Sequence, residues 1–184
     1  MKIIRARDEE YQHVALKEFH LLRSLNHHGI IKMVDAFVNR SRHTIYLVMD
    51  LVEGQALKSF VKTFTELHYS EANLIRHKKK RPGLPEYLAC SIVKQLGEIL
   101  KYLHSEEVSV CHRDLNHNNI MITPINKDLT HVKVKLIDFN VSRRFKSKGG
   151  NFNENSDNQA MKRLIMMTQT GAAGFCAPEM TSGQ

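Results

Sequence analysis

The chain has 184 residues, 42% hydrophobic and 25% charged, with a formal net charge of +8 and a pI near 9.5. That is enough for one domain with a sizeable core, or for a piece of a larger one, and no run reaches the roughly 20 apolar residues of a membrane span, since Thr44 to Val52 is broken by Asp50. The start, MKIIRARDEE, turns polar too early for a signal peptide, and three widely spaced cysteines (Cys90, Cys111, Cys176) fit reduced thiols in the cytoplasm, or the nucleus, better than a disulfide framework.

The excess positive charge suggests an acidic partner, but much of it is local. RHKKKR at 76–81 holds five cations and is followed by PGLP, which reads as an exposed basic insertion over about 65–84. A nucleic-acid-binding module would rest on this charge alone, without the interleaved aromatic residues that stack on bases.

In chain order, Ala15, Phe19, Leu22 and Leu25 recur at three- and four-residue steps and predict a helix over 8–25 with one apolar face, ended by Asn26-His27-His28-Gly29. Two β-like runs follow, Ile30 to Val38 and Thr44 to Met49, joined by the polar turn NRSRH. Gly54 interrupts the chain, and a short amphipathic segment from Gln55 to Phe64 leads into the basic insertion. Pro85 then opens a second helix, 85–104, whose Leu88, Ile92, Leu96, Ile99 and Leu103 share a face. Ile120 to Ile122 and Val132 to Ile137 read as short strands, the second with Val132, Val134 and Leu136 on one side. From Ser142 to about Met161 the composition shifts to Lys, Gly, Asn and Ser, which predicts an irregular excursion.

Between the second helix and the strand at 120 lies HRDLNHNN, residues 112–119. Its Asn and Asp side chains compete with the backbone for hydrogen bonds, so it must be a loop. A carboxylate that acts on a hydroxyl needs a rigid mount and an open face, and Asp114 is a candidate. Asn119 can offer an amide oxygen to a hard cation, and Asp138, just after an apolar strand, a charged one. Singly, each has an ordinary use: Asp114 pairs with Arg113, Asn119 caps a turn, Asp138 starts one.

Together, His112-Arg113-Asp114-Leu115, Asn119, Asp138-Phe139 and Ala177-Pro178-Glu179 resemble the protein-kinase signature set in its order. The chain resembles the eukaryotic protein kinases of the serine/threonine branch, leaning toward the calcium/calmodulin-dependent group. The resemblance implies an α+β, two-lobed protein-kinase-like fold. Residues 1–52 would be what is present of the small lobe, and 53–184 the first half of the large lobe, with a catalytic loop at 110–119 and an activation segment at 138–179. It implies ATP and Mg²⁺ as cofactors, a protein substrate carrying Ser or Thr, and no membrane partner. Asp114 would be the base beside Arg113, and Asn119 and Asp138 the metal ligands. Lys2 would hold the α- and β-phosphates with Glu18 as its ion-pair partner. Met49 falls at the gatekeeper, with Asp50 to Val52 as the hinge to adenine and Met121 also against the nucleotide. Leu22, Met33, His112 and Phe139 would stack as an internal spine, which equally makes them core residues. Arg113 implies activation by a phosphate on the loop, placed by an upstream kinase on Thr168 or, second, Thr170.

The sequence also departs from the family. Asn116 stands in the catalytic loop where a lysine steadies the transferred phosphate, and brings no charge. Asn140 replaces the glycine of Asp-Phe-Gly, a mild change because Asn tolerates the left-handed backbone region. Ala172 stands for a threonine that bonds the catalytic Asp, Ala56 for an acidic residue near the ribose, and the stretch from Asp138 to Glu179 is long. Against the family pattern the chain reads as truncated at both ends, without the Gly-rich strand pair before Lys2 and without the later helices of the large lobe. A pseudokinase or scaffold, which has the same fold but acts by binding, is therefore the alternative to an enzyme.

Overall fold

The computed structural model describes residues 1–5, 9–69, 83–144 and 174–175. Its first sheet has the order β1-β3-β2, with β1 (Lys2–Arg5), β2 (Met33–Asn39) and β3 (Thr44–Met49), all antiparallel. Alternation along β1 and its register with β3 (Lys2 opposite Leu47, Ile4 opposite Ile45) put Lys2 and Ile4 on the inner face with the buried Leu47 and Ile45. Helix α1 (Glu9–Arg23) covers this face with Ala15, Phe19 and Leu22. Burying each of the larger of these side chains stabilises the fold by roughly 1.5–3 kcal/mol. The helix thereby brings Glu18, also buried, over the inner end of β1. On the opposite face Ile3, Tyr46 and Phe37 sit in one cross-strand row, with Ile3 and Phe37 exposed.

The chain leaves α1 through a segment that locks onto the second half. Gly29 and Ile31 bracket Leu136 with two backbone bonds, Leu136 N–H to Gly29 O at 2.7 Å and Ile31 N–H to Leu136 O at 3.0 Å. Ile30 therefore forms an isolated parallel bridge, and the continuous strand begins only at Met33, later than the apolar run suggests. A side chain at position 29 would meet Ile99, since a built Cβ lies 2.5 Å from Cγ1 of Ile99. Nearby, Asn26 N–H donates to the Tyr102 hydroxyl at 2.7 Å, and the His27 ring lies between those of His28 and Tyr102.

The second sheet has the order β4-β6-β7, with β4 (Gln55–Ala56), β6 (Ile120–Pro124) and β7 (Val132–Leu136). Helix α2 (Leu57–His68) buries Phe60 and Phe64, and α3 (Glu86–Leu103) buries Leu88, Ile92, Ile99 and Leu103. Pro85 is the N-cap of α3 rather than its first helical residue. Residues 65–68 continue α2 instead of opening the basic insertion, because the apolar stripe of Phe60 and Phe64 is already seated and Tyr69 packs against the same core. RHKKKR lies outside the described residues.

Ser142 to Arg144 are another departure from the expected excursion. Arg143–Arg144 form β8, paired antiparallel with β5 (Val110–Cys111). The remainder of 142–161 lies outside the described residues.

Candidate phosphoryl-transfer site

The loop 112–119 is built on its first residue. His112 is almost fully buried, and both ring nitrogens are satisfied in one neutral tautomer. Nε2–H donates to Ile137 O at 3.0 Å, while Nδ1 accepts from Asp114 N–H at 3.3 Å. Its ring meets Phe139 edge-on at 4.6 Å between centroids. Burial holds the His112 pKa below the ordinary histidine value, the bond to Ile137 O and the carboxylates of Asp114 and Asp138 offsetting part of this. Ser142 Oγ–H donates to His112 O at 2.9 Å, so the residue just before Arg143 also steadies the loop.

Past His112 the backbone turns sharply. Arg113 has φ 71° and its Nη1 donates to Val141 O at 3.3 Å. Burial, then the neighbouring Arg143, hold its guanidinium pKa below the ordinary value. Asp114 then presents its carboxylate to two asparagines. Asn119 Nδ2 donates to Asp114 O at 2.9 Å and to Oδ2 at 2.8 Å, and Asn116 Nδ2 donates to Oδ1 at 3.0 Å. Asn118 N–H closes the turn onto Asn116 Oδ1 at 2.8 Å.

Asn119 also sets the position of Asp138. Its carbonyl accepts from Ile137 N–H at 3.0 Å, so the exit of β7 is tied to the end of the loop, and Asp138 is the next residue. With both backbone groups of Ile137 engaged and Phe139 buried, the chain must reverse at Asp138, which takes φ 61°. The left-handed residue is therefore Asp138. Asn140, expected to need that freedom, is not among the residues with positive φ.

From the other side Lys2 reaches in. Its Nζ lies 2.8 Å from Glu18 Oε2 and 3.2 Å from Asp138 Oδ1. Burial opposes the Lys2 charge, but the hydrogen bond and charge of Glu18, and then of Asp138, outweigh it and hold the ammonium pKa above its ordinary value. Burial pushes the Glu18 carboxyl pKa up, with Lys2 offsetting part of the rise.

The remaining predicted positions fall as follows. Leu22, Met33, His112 and Phe139 are all buried. Met49 and Met33 pair across β3 and β2, and Asp50 N–H bonds Lys32 O at 3.0 Å. Met49, Val52 and Met121 are half-buried, whereas Asp50 is exposed. Ala56, at the start of α2, pairs with Met121. Thr168, Thr170, Ala172 and Ala177-Pro178-Glu179 lie outside the described residues. Two contributors escaped the sequence reading. Ser142 holds the loop, and Arg144 bonds both Val108 O at 2.9 Å and Ser24 Oγ; in the sequence both belong to a featureless polar run.

The donor set suits a hard divalent cation. Asn119 spends its amide hydrogens on Asp114, so Oδ1 is the atom left to offer, and Asp138 keeps a carboxylate with 35% side-chain exposure. Mg²⁺ commonly takes one or two protein oxygens and completes its shell with phosphate oxygens and water.

These features define a protein kinase domain, and the comparison with known families agrees: the family model described as "Protein kinase domain" matches residues 1–184. The chain belongs to that family, and its helices and small sheets are the mixed α+β fold of the kinase domain. It is similar to a probable serine/threonine-protein kinase of Dictyostelium discoideum (27% identity over 93% of this chain and 22% of the relative). It is also similar to testis-specific serine/threonine-protein kinase 2 of Mus musculus (30%, 91% and 37%) and to death-associated protein kinase 2 of Homo sapiens (27%, 90% and 35%). The chain thus spans 22% to 37% of the length of these relatives.

Proposed function

We propose that the protein is a serine/threonine kinase that moves the γ-phosphate of ATP to a hydroxyl of a protein substrate. Asp114 accepts the proton as the substrate oxygen bonds to phosphorus and the bond to the ADP oxygen breaks. Lys2, oriented by Glu18, holds the α- and β-phosphates. Asn119 and Asp138 would hold Mg²⁺, which when bound offsets the charge of the phosphates. Met49, Asp50, Val52 and Met121 border the adenine. In this reading residues 1–52 belong to the small lobe and 53–184 to the large lobe, in the cytoplasm or nucleus. An upstream kinase acts on Thr168 or Thr170, whose phosphate pairs with Arg113.

One observation carries the proposal. Lys2, 136 residues from Asp138, bridges it to Glu18, while Asn119, which fixes Asp114, is bonded to the residue before Asp138. Base, proposed metal ligands and phosphate-binding lysine thus form one connected set. The test is phosphate transfer from ATP to Ser/Thr peptides by the full-length protein. Asp114→Asn and Asp138→Asn should each abolish transfer, and transfer that survives both sinks the assignment.

The pseudokinase or scaffold reading has Asn116 in its favour, since no cation stands there. It predicts that Mg²⁺ and ATP raise thermal stability, by roughly 2.7 kcal/mol at a hundred times the dissociation constant, without any transfer.

A further inference from the structure

Resting on the kinase reading, we propose that Asn116 is a positioning residue: it latches the oxygen of the Asp114 carboxylate that Asn119 does not hold, and does not touch the transferred phosphate. The hydrogen-bond inventory of its amide carries this. Nδ2 directs its hydrogens at Asp114 Oδ1, 3.0 Å away, and Asp114 O, 3.3 Å away. Oδ1 accepts from Asn118 N–H at 2.8 Å, which fixes the amide orientation, because a flipped amide would point its NH₂ at a backbone N–H. Asn116 is 5% exposed, and both contacts of its Nδ2 are to Asp114.

The consequence for Asp114 is that each carboxylate oxygen has its own donor, Oδ1 from Asn116 and Oδ2 from Asn119. A carboxylate held by one donor can pivot about that bond; held by two, from residues on either side of the loop turn, its plane is fixed. Proton acceptance from a substrate hydroxyl needs that alignment, and small misplacements of a reacting group are costly. At this position the chain has an aligning amide in place of a cation.

Asn116 has a second, purely structural bond, to Asn118 N–H, and two substitutions separate the roles. Asn116→Ser keeps a short side-chain oxygen that can accept from Asn118 N–H, as serine does in such turns, but it is too short to bring a donor to Asp114 Oδ1. Asn116→Ala loses both bonds. In the full-length protein with Mg²⁺, ATP and a Ser/Thr peptide, both variants should lower kcat by about tenfold or more, on the order seen for misplaced catalytic groups, with KM for ATP within about twofold of the parent. Recovery of parental kcat in Asn116→Ser would show that only the bond to Asn118 matters and would overturn the inference, as would a rise in KM for ATP that accounts for the whole loss. Parent protein that transfers no phosphate overturns the kinase reading and this inference together. Transfer that is abolished in Asp114→Asn but stays within twofold of the parent in Asn116→Ala overturns this inference alone.

Discussion

Lys2 and Glu18 meet at 2.8 Å with very different access to water: the side chain of Glu18 is 3% exposed and that of Lys2 35%. The pair is therefore asymmetric. Removing the carboxylate leaves an ammonium that still has Asp138 at 3.2 Å and solvent. Removing the ammonium leaves a carboxylate with no counter-charge in the core under α1. Lys2→Met should thus cost about 1–3 kcal/mol, the range for a buried polar group that loses its partner, since the Glu18 carboxyl, whose pKa burial already raises, can take up a proton, and Glu18→Gln distinctly less. Urea denaturation of the two variants checks the order, and equal losses would show that solvent reaches Glu18. On the role proposed for Lys2, nucleotide affinity should fall in both, since Lys2 loses either its presence or its orientation.

His112 gives the fold a pH dependence with a definite sign. Its folded-state pKa is lowered, chiefly by burial, so below the ordinary value of 6.5 the unfolded chain binds the extra proton more readily. Stability is present above that pH and is lost as pH falls from about 6.5 toward the folded pKa. Geometry gives the reason: a proton on Nδ1 would face Asp114 N–H. His112→Phe keeps a ring against Phe139 but loses the bonds to Ile137 O and Asp114 N–H, so at pH 7.5 it should be less stable than the parent. Being unable to titrate, it should lose less on acidification, and the stability gap between the two proteins should narrow between pH 7.5 and 5.5. A gap that stays constant in chemical denaturation would contradict the buried neutral imidazole.

Parts of this architecture are legible in residue spacing, and others are not, for identifiable reasons. Helices α1 and α3 carry their own evidence, because an apolar stripe at helical period can be buried in only one way. The same holds for Val132, Val134 and Leu136 in β7. By contrast β8 is two arginines, and nothing about them prefers a strand; Val110 and Cys111 impose it. The positive φ at Asp138 also comes from tertiary restraint, through Ile137 and Phe139, where residue preference alone pointed to Asn140. In the site, the individual groups Asp114, Asn119 and Asp138 were readable from the loop chemistry and the family pattern. That Asn116 turns inward was not, because an exposed and a buried amide look alike in sequence.

Gly54 is a position where substitution should be severe. Its φ is 143°, a conformation L side chains rarely adopt, and an added Cβ would lie 2.3 Å from Ile122 O in the neighbouring strand β6. Backbone strain in such a region costs about 1–3 kcal/mol, and here the obstruction is a backbone carbonyl that cannot rotate away. Gly54→Ala should therefore destabilise the protein by at least about 2 kcal/mol and disturb the pairing of Gln55 with Ile122. Because β4 leads directly into α2, hydrogen exchange should quicken from 55 to 60 while α1 stays protected. Uniform loss of protection would indicate global unfolding and a larger cost.

Gln95 acts as a short strand in side-chain form. From the middle of α3 its Nε2 donates to Val132 O at 3.1 Å and its Oε1 accepts from Val134 N–H at 3.0 Å, the two groups that a further strand on β7 would engage. Because α3 covers this edge, groups left unpaired would sit in a partly dry interface, where an unsatisfied donor or acceptor costs about 1–3 kcal/mol. Gln95→Ala should lose that amount in urea denaturation. Gln95→Glu separates geometry from chemistry: the carboxylate can still accept from Val134 N–H, but it sets an oxygen against Val132 O. It should be at least as unstable as Gln95→Ala at pH 7 and recover part of the loss near pH 4.5, where a protonated carboxyl can donate again. If Gln95→Glu matched the parent at neutral pH, water rather than the amide would be satisfying the edge of β7.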